Sequence, residues 1–355
     1  MNLAAVEKIA RAVLYEGYML YPYRPSSVKN RQRFNFGVLY PQSYVELHTG
    51  SDASASQTQC LVQGSILPEI EIRIRFLQSA QRFVGRLPEP LANWPVEDKV
   101  CFEPVDSLEV DGRIFRPGAE VEEREFSLRL VYGDSISFTP SRYEHSIPGR
   151  RDLEPLLDAA GDAAGVIVRE RENLVLAVEV LAQRCREDVF KFSVRVSNQT
   201  PFADPGRHGR DEALIYSLIS THVVLGANNC EFVSLLDPPE DMCKFAAGCQ
   251  NIGTWPVLVG ESGRRDTMLS SPIILYDYPQ VAPESAGDLF DGTEIDEILS
   301  LRIMTLTEDE KREVREADER AGRILERTES MPPEQLMKLH GVVRSMRPLN
   351  DKEIS

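Results

Sequence analysis

The octapeptide EIEIRIRF, residues 69–76, sets Ile70, Ile72, Ile74 and Phe76 on one side of an extended chain and Glu71, Arg73 and Arg75 on the other. A period of two matches the alternating side-chain directions of a β-strand. The stretch therefore predicts a strand with one buried and one wet face. The same alternation returns at Phe126, Leu128 and Leu130, at Leu174, Leu176, Val178 and Val180, and at Phe190, Phe192, Val194 and Val196. Parallel strands buried on both faces would read as unbroken apolar runs, so these four imply mainly antiparallel pairing. The fold class expected is α+β: an antiparallel β-sandwich or half-barrel core, with helices at the N-terminus and in the C-terminal part.

Outward from these strands, residues 3–20 put Leu3, Val6, Ile9, Ala10, Val13 and Leu14 at helical spacing, and Pro22 and Pro25 end that helix. SDASASQTQ (51–59) reads as an exposed polar loop, and the prolines of 86–118 suit loops and edge strands. Leu214, Ile215, Leu218, Ile219 and Leu225 predict a helix through 210–226. Short apolar runs at 231–236, 255–259 and 272–276 predict strands. Thr307 with Glu310 forms a capping-box pattern for a helix over 308–328, and a last helix carries Leu336, Leu339, Val343 and Met346. The chain thus divides into three regions: 1–50, an N-terminal helix and basic aromatic segment; 51–204, a β-rich domain; and 205–355, an α+β domain ending in amphipathic helices.

The 355 residues, 42% of them hydrophobic, supply enough apolar material for a buried core. Fifty-six acids against 40 bases give a net charge of −16, which opposes nonspecific attraction to nucleic acid or anionic lipid. No apolar run approaches the length of a membrane span, so neither nucleic acid nor membrane insertion is expected. Six cysteines spread through the chain fit a reduced, cytoplasmic protein.

Charge is uneven. Residues 1–40 hold six bases against two acids, whereas 284–355 hold eighteen acids against eleven bases. Tyr21, Tyr23, Arg24, Lys29, Arg31 and Arg33, with Phe34 and Phe36, form a candidate partner- or ligand-binding patch of guanidinium forks and aromatic faces. Pairing with the chain's own acids is the alternative. For metal, His222, Cys230, Cys243 and Cys249 are zinc- or iron-type ligands within 28 residues, but their spacing lacks the paired knuckles of a zinc site. A core histidine and inert buried thiols are the more economical account, and no cofactor is expected.

The carboxylates Glu284, Asp288, Asp291, Glu294, Asp296 and Glu297 lack the EF-hand order and read as capping charges at a helix start. Asp237 and Glu240, and Asp277, sit beside prolines, where turn formation explains them. Nucleophile-elbow, metalloprotease, P-loop and dinucleotide motifs are all absent, so no catalytic residues are assigned.

Two stretches, VLYEGYMLYPYRPSSVKNRQRFNFGVLYP (13–41) and GTWPVLVGESGRRDTMLSSPIILYDYPQVAPESAGDLFDGTEIDEILSLRIMTLTEDEK (253–311), resemble a family of uncharacterised proteins encoded beside uptake [NiFe]-hydrogenase genes. The matched segments cover about a quarter of the chain. The resemblance implies a cytoplasmic accessory or maturation protein, chaperone-like, that binds a hydrogenase subunit or maturation factor; it brings no reaction. The competing expectation is a metal-binding enzyme or metal carrier using the Cys230, Cys243 and Cys249 region.

Overall fold

In the computed structural model, the described residues are 3–14, 36–48, 50–64, 69–95, 100–131 and 140–280, with single positions between 306 and 330. Within them two open antiparallel sheets pack face to face. One sheet is built from β1 (Ala55–Gln63), β7 (Ser141–Ile147), β10 (Leu174–Arg186), β11 (Val189–Asn198) and β13 (Glu231–Val233), in the order β13-β1-β11-β10-β7. The other contains β2 (Glu69–Leu91), β8 (Arg150–Leu157), β9 (Ala163–Arg171), β12 (Ile219–Asn228), β14 (Trp255–Leu258) and β15 (Thr267–Ser271), ordered β14-β15-β12-β2-β9-β8. β3 (Glu103–Val105) and β6 (Gly118–Val131) also pair with β2, and β4 (Leu108–Val110) pairs with β5 (Arg113–Phe115). The helices are short: α1 (Leu3–Leu14), α2 (Gln42–Leu47), α3 (Arg210–Ile215) and α4 (Cys243–Ala247). The expected α+β antiparallel sandwich is the observed architecture, and its sheets do not close into a barrel.

The alternation of EIEIRIRF does what its period demands. Ile70, Ile72, Ile74 and Phe76 enter the inter-sheet core, where they meet Val178 and Val180 of β10 and Phe192, Val194 and Val196 of β11. Each such side chain contributes about 1.5–3 kcal/mol by leaving water. On the opposite face Arg75 stays nearly buried and donates to Glu7 of α1 at 3.0 and 3.2 Å. That ion pair sits beside the apolar contact of Val6, Ala10 and Val13 with Val224, Val257 and Leu269, which holds α1 against the outer face of β12, β14 and β15.

Four expectations change. The helix foreseen over 210–226 stops at Ile215, and β12 takes over at Ile219. Nine of the ten β12 residues are buried, because one face meets the core and the other meets α1, so no alternation marks it as a strand. The polar stretch 51–59 is a loop only to Ser54; Ala55 opens β1, in which Ser56 and Thr58 are buried. Thr58 Oγ1 donates to Ser270 Oγ at 2.7 Å, and Thr254 Oγ1 lies 2.7 Å from the same oxygen. Satisfied hydroxyls allow a polar sequence inside a sandwich. The strand foreseen at 272–276 is instead Thr267–Ser271, which leaves Ile274 and Tyr276 exposed. Finally, β2 runs on through Pro88 and Pro90 to Leu91, with β3 to β5 as the short strands of the proline-rich region.

Elements on both sides of residue 204 share both sheets and one core: β13 pairs with β1, and β12 pairs with β2. The expected run of carboxylates at 284–297 and the last helix lie outside the described residues, as does Glu310. Among the described positions beyond 306, Lys311 N donates to Thr307 O at 2.9 Å, a helical bond, and Glu329 accepts from Lys311 at 3.0 Å. Among the described residues no helix is long and apolar enough to cross a membrane.

Candidate functional site

The extended segment 36–41 crosses the end of the sandwich between β12 and the loop before β1. Leu39 N donates to Leu218 O at 2.9 Å and receives the return bond at 3.1 Å, while Tyr40 N donates to Ala53 O at 2.8 Å. Asn198, fully buried, ties this crossing from below by donating to Leu39 O at 2.8 Å and Tyr216 O at 2.9 Å. Gly37 turns the chain with φ of +58°, and a Cβ there would lie 2.5 Å from Pro272 Cγ. Only glycine fits both the left-handed backbone and the contact.

From the opposite side comes the segment 250–255. Gln57 and Ile252 exchange backbone bonds of 2.9 Å, and Asn251 Oδ1 accepts from Gln59 N at 2.7 Å. Gly253, at φ of +67°, then swings the chain so that Thr254 enters the buried hydroxyl cluster and Trp255 faces outward, 42% exposed.

Between the two segments lies a cavity of about 460 Å³, within the range of ligand pockets, roughly 300–1,000 Å³. Phe36, Trp255 and Pro272 supply its apolar wall, and Asp52 and Arg210 its charged one. Asp52 Oδ1 stands 3.7 Å from Arg210 Nε, and the Arg210 guanidinium carbon lies 5.5 Å from the centre of the Tyr40 ring. Tyr40 is 1% exposed, and its hydroxyl has no hydrogen-bond partner among the described residues. Burial holds that phenol well above its ordinary pKa, so it stays protonated. The site is thus half aromatic and apolar, half a neighbouring acid and base. The hydroxyl residues Ser51, Ser56 and Thr221 complete its polar lining.

None of Asp52, Arg210 or Trp255 stands out in the sequence as a functional residue. Arg210 is more than 150 residues from Asp52, and neither belongs to a motif. The available signal was the pair of glycines, Gly37 and Gly253, each next to an aromatic or one residue from it.

Of the residues singled out from sequence, Phe36 lines the cavity. Tyr21, Tyr23, Arg24, Lys29, Arg31 and Arg33 lie outside the described residues, and Phe36 is the first described residue of that stretch. His222, 1% exposed, sits in β12 opposite Arg75 of β2, with Nδ1 3.0 Å from Ser220 O. Burial depresses its pKa to about 4, with Arg75 adding to the effect. Cys243 is exposed at the start of α4, its Sγ 3.5 Å from Pro239 O. Cys230 and Cys249 are half-buried, and burial raises both thiols to about 11. Among the described residues no three His, Cys, Asp or Glu side chains converge as metal ligands. Asp277 accepts from Ser234 Oγ at 2.5 Å and Leu258 N at 2.7 Å, while Asp237 N donates to Ser234 Oγ at 2.9 Å. Both residues are held in turns.

No protein-family model matches the chain, and no curated protein matches it. Two solved structures of InvG, the secretin of the Salmonella SPI-1 injectisome, are similar in part. The secretin-domain β-barrel from the NC-base shares 11% identity over 57% of this chain and 58% of that one, with a TM-score of 0.16. InvG from residue 176 to its end, in the open gate state, shares 10% identity over 75% of each chain, with a TM-score of 0.13. This chain therefore spans 58% of the length of the first of these structures.

Proposed function

We propose that this chain is a cytoplasmic, non-catalytic accessory or assembly factor for an [NiFe]-hydrogenase, which docks on a hydrogenase subunit or a maturation factor. One observation carries the reading. The two stretches that bear the family resemblance, 13–41 and 253–311, are more than 200 residues apart, yet their described parts meet at the cavity. Phe36 to Tyr40 come from the first stretch, and Gly253, Trp255 and Pro272 from the second. Beside them Ile252 is 52% exposed, and Phe36 and Trp255 about four-tenths exposed. Exposed aromatic and aliphatic side chains on a rigid frame are the anchors from which protein interfaces take most of their energy. The net charge of −16 further favours a partner with a basic surface.

The test is affinity purification of the tagged protein from cells making the hydrogenase. The wild-type chain is expected to recover a hydrogenase subunit or maturation factor, and Phe36→Ala with Trp255→Ala to lose it while keeping its melting temperature. Deletion of the gene that leaves hydrogenase metallation and activity unchanged overturns the proposal. Stoichiometric zinc, iron or nickel in protein purified without chelator would replace it with the metal-carrier reading.

A further inference from the structure

The charges in the cavity already answer one another. Asp52 Oδ1 lies 3.7 Å from Arg210 Nε, and the guanidinium rests 5.5 Å from the centre of the Tyr40 ring. A charged ligand would have to compete with one member of that pair, so the cavity suits a neutral ligand. The polar group left over is a hydroxyl. Ser56 is 6% exposed and lines the cavity, yet its side chain makes no hydrogen bond among the described residues. Thr58, next on the same face of β1, shows the contrast: its hydroxyl donates to Ser270 Oγ at 2.7 Å. A buried hydroxyl without a partner costs free energy, and a ligand that supplies the partner recovers it.

The neighbours of Ser56 add acceptors. Thr221 Oγ1 donates to Leu218 O at 3.0 Å and keeps its own lone pairs, and the 3.7 Å contact of Asp52 is longer than a hydrogen bond, so that its carboxylate can also accept. The group that donates to Asp52 and Thr221 and also accepts from Ser56 is a hydroxyl. Facing these groups are Phe36 and Trp255, about four-tenths exposed, whose negative ring faces attract polarised C–H groups. A Cβ at Gly253 would lie 4.0 Å from Ser56 Cβ, so the turn that carries Trp255 passes beside the serine. A pyranose ring joins both requirements in one neutral molecule, with hydroxyls around its rim and C–H groups on its faces.

We propose that this cavity, of about 460 Å³, binds a neutral carbohydrate of one or two pyranose rings, a C–H face against Trp255 and Phe36 and hydroxyls on Ser56, Asp52 and Thr221. The assignment is independent of any docking of a hydrogenase component on the rim.

Isothermal titration of the purified full chain with methyl β-D-glucopyranoside, maltose, cellobiose and lactose tests it. The control is cyclohexylmethanol, a ring of similar size with a single hydroxyl. The chain has two tryptophans, so Trp94→Phe leaves Trp255 as the fluorescent reporter. Saturable one-to-one binding of at least one sugar is expected, with a dissociation constant below about 10 mM, a change in Trp255 emission, and the control at least about tenfold weaker. Ser56→Ala is expected to weaken binding about fivefold and Trp255→Ala about tenfold or more, with folding checked by thermal melting. If none of the four sugars saturates up to about 50 mM, if cyclohexylmethanol binds as tightly as the best of them, or if folded Ser56→Ala binds at full strength, the proposal is overturned. The sugar and control series uses the wild-type chain, so it decides the matter even if a variant fails to fold.

Discussion

Protonation of His222 should destabilise this protein from within. The imidazole is buried on β12, across from β2, with Nδ1–H donating to Ser220 O at 3.0 Å and Nε2 without a partner among the described residues. Adding a proton would create a charge and a second N–H in a site with no acceptor for it, directly across the ladder from Arg75, whose guanidinium is held by Glu7 of α1. Burial first, and Arg75 second, bring the folded pKa to about 4 against an ordinary 6.5; only the Ser220 bond works the other way. Between these values the unfolded chain binds more protons than the folded one. The stabilisation is therefore complete above pH 6.5 and is lost as pH falls toward 4. For one group with these two pKa values the loss is about 2 kcal/mol at pH 5 and approaches about 3 kcal/mol below pH 4. Urea unfolding near pH 7.5 and near pH 5, on the wild type and on His222→Asn, isolates the effect, because Asn keeps a donor near Nδ1 and cannot titrate. The variant should be less stable near neutrality but lose about 2 kcal/mol less on acidification than the wild type does. Equal acid losses in the two proteins would refute the reasoning.

Gly37→Ala must place a Cβ on Pro272 at a φ of +58°, so it should cost about 1–3 kcal/mol in a urea melt, far more than an exposed glycine substitution. Arg75→Met removes the shared partner of Glu7, Glu123 and Glu125. Because those carboxylates are a third or more exposed and can rehydrate, the loss should be about 1–3 kcal/mol, and Glu7→Gln should cost under about 1 kcal/mol. Thiol titration of the native protein should modify the exposed Cys101 and Cys243 first, and Cys230 and Cys249, both raised to about 11, more slowly. Cys60, fully buried, should react only after denaturant is added; early labelling found by mass spectrometry would contradict the packing of β1.

The fold class was legible because a strand with one buried face writes its period into the chain: Ile70 to Phe76, Leu174 to Val180 and Phe192 to Val196 all alternate and all enter one core. Where both faces are buried the period vanishes, and β12 mimicked a helix because apolar residues at 214, 215, 218, 219 and 225 satisfy helical spacing equally well. β1 was hidden for the opposite reason. Its Ser56 and Thr58 are hydrophilic in composition, and only the partner hydroxyls of Thr254 and Ser270, brought in by the second sheet, offset the cost of burying Thr58.

The sequence by itself determined an acidic, antiparallel β-rich chain opened by an amphipathic helix, because charge and local periodicity are properties of neighbours along the chain. The cavity was decided by tertiary structure alone. Asp52, Arg210 and Trp255 are unremarkable where they stand in the sequence, and they become a site only when the loop before β1, the start of α3 and the start of β14 are brought to one end of the sandwich. Distance along a chain carries no record of such convergence, since the register of two sheets is fixed by the sum of many core contacts and not by any one segment.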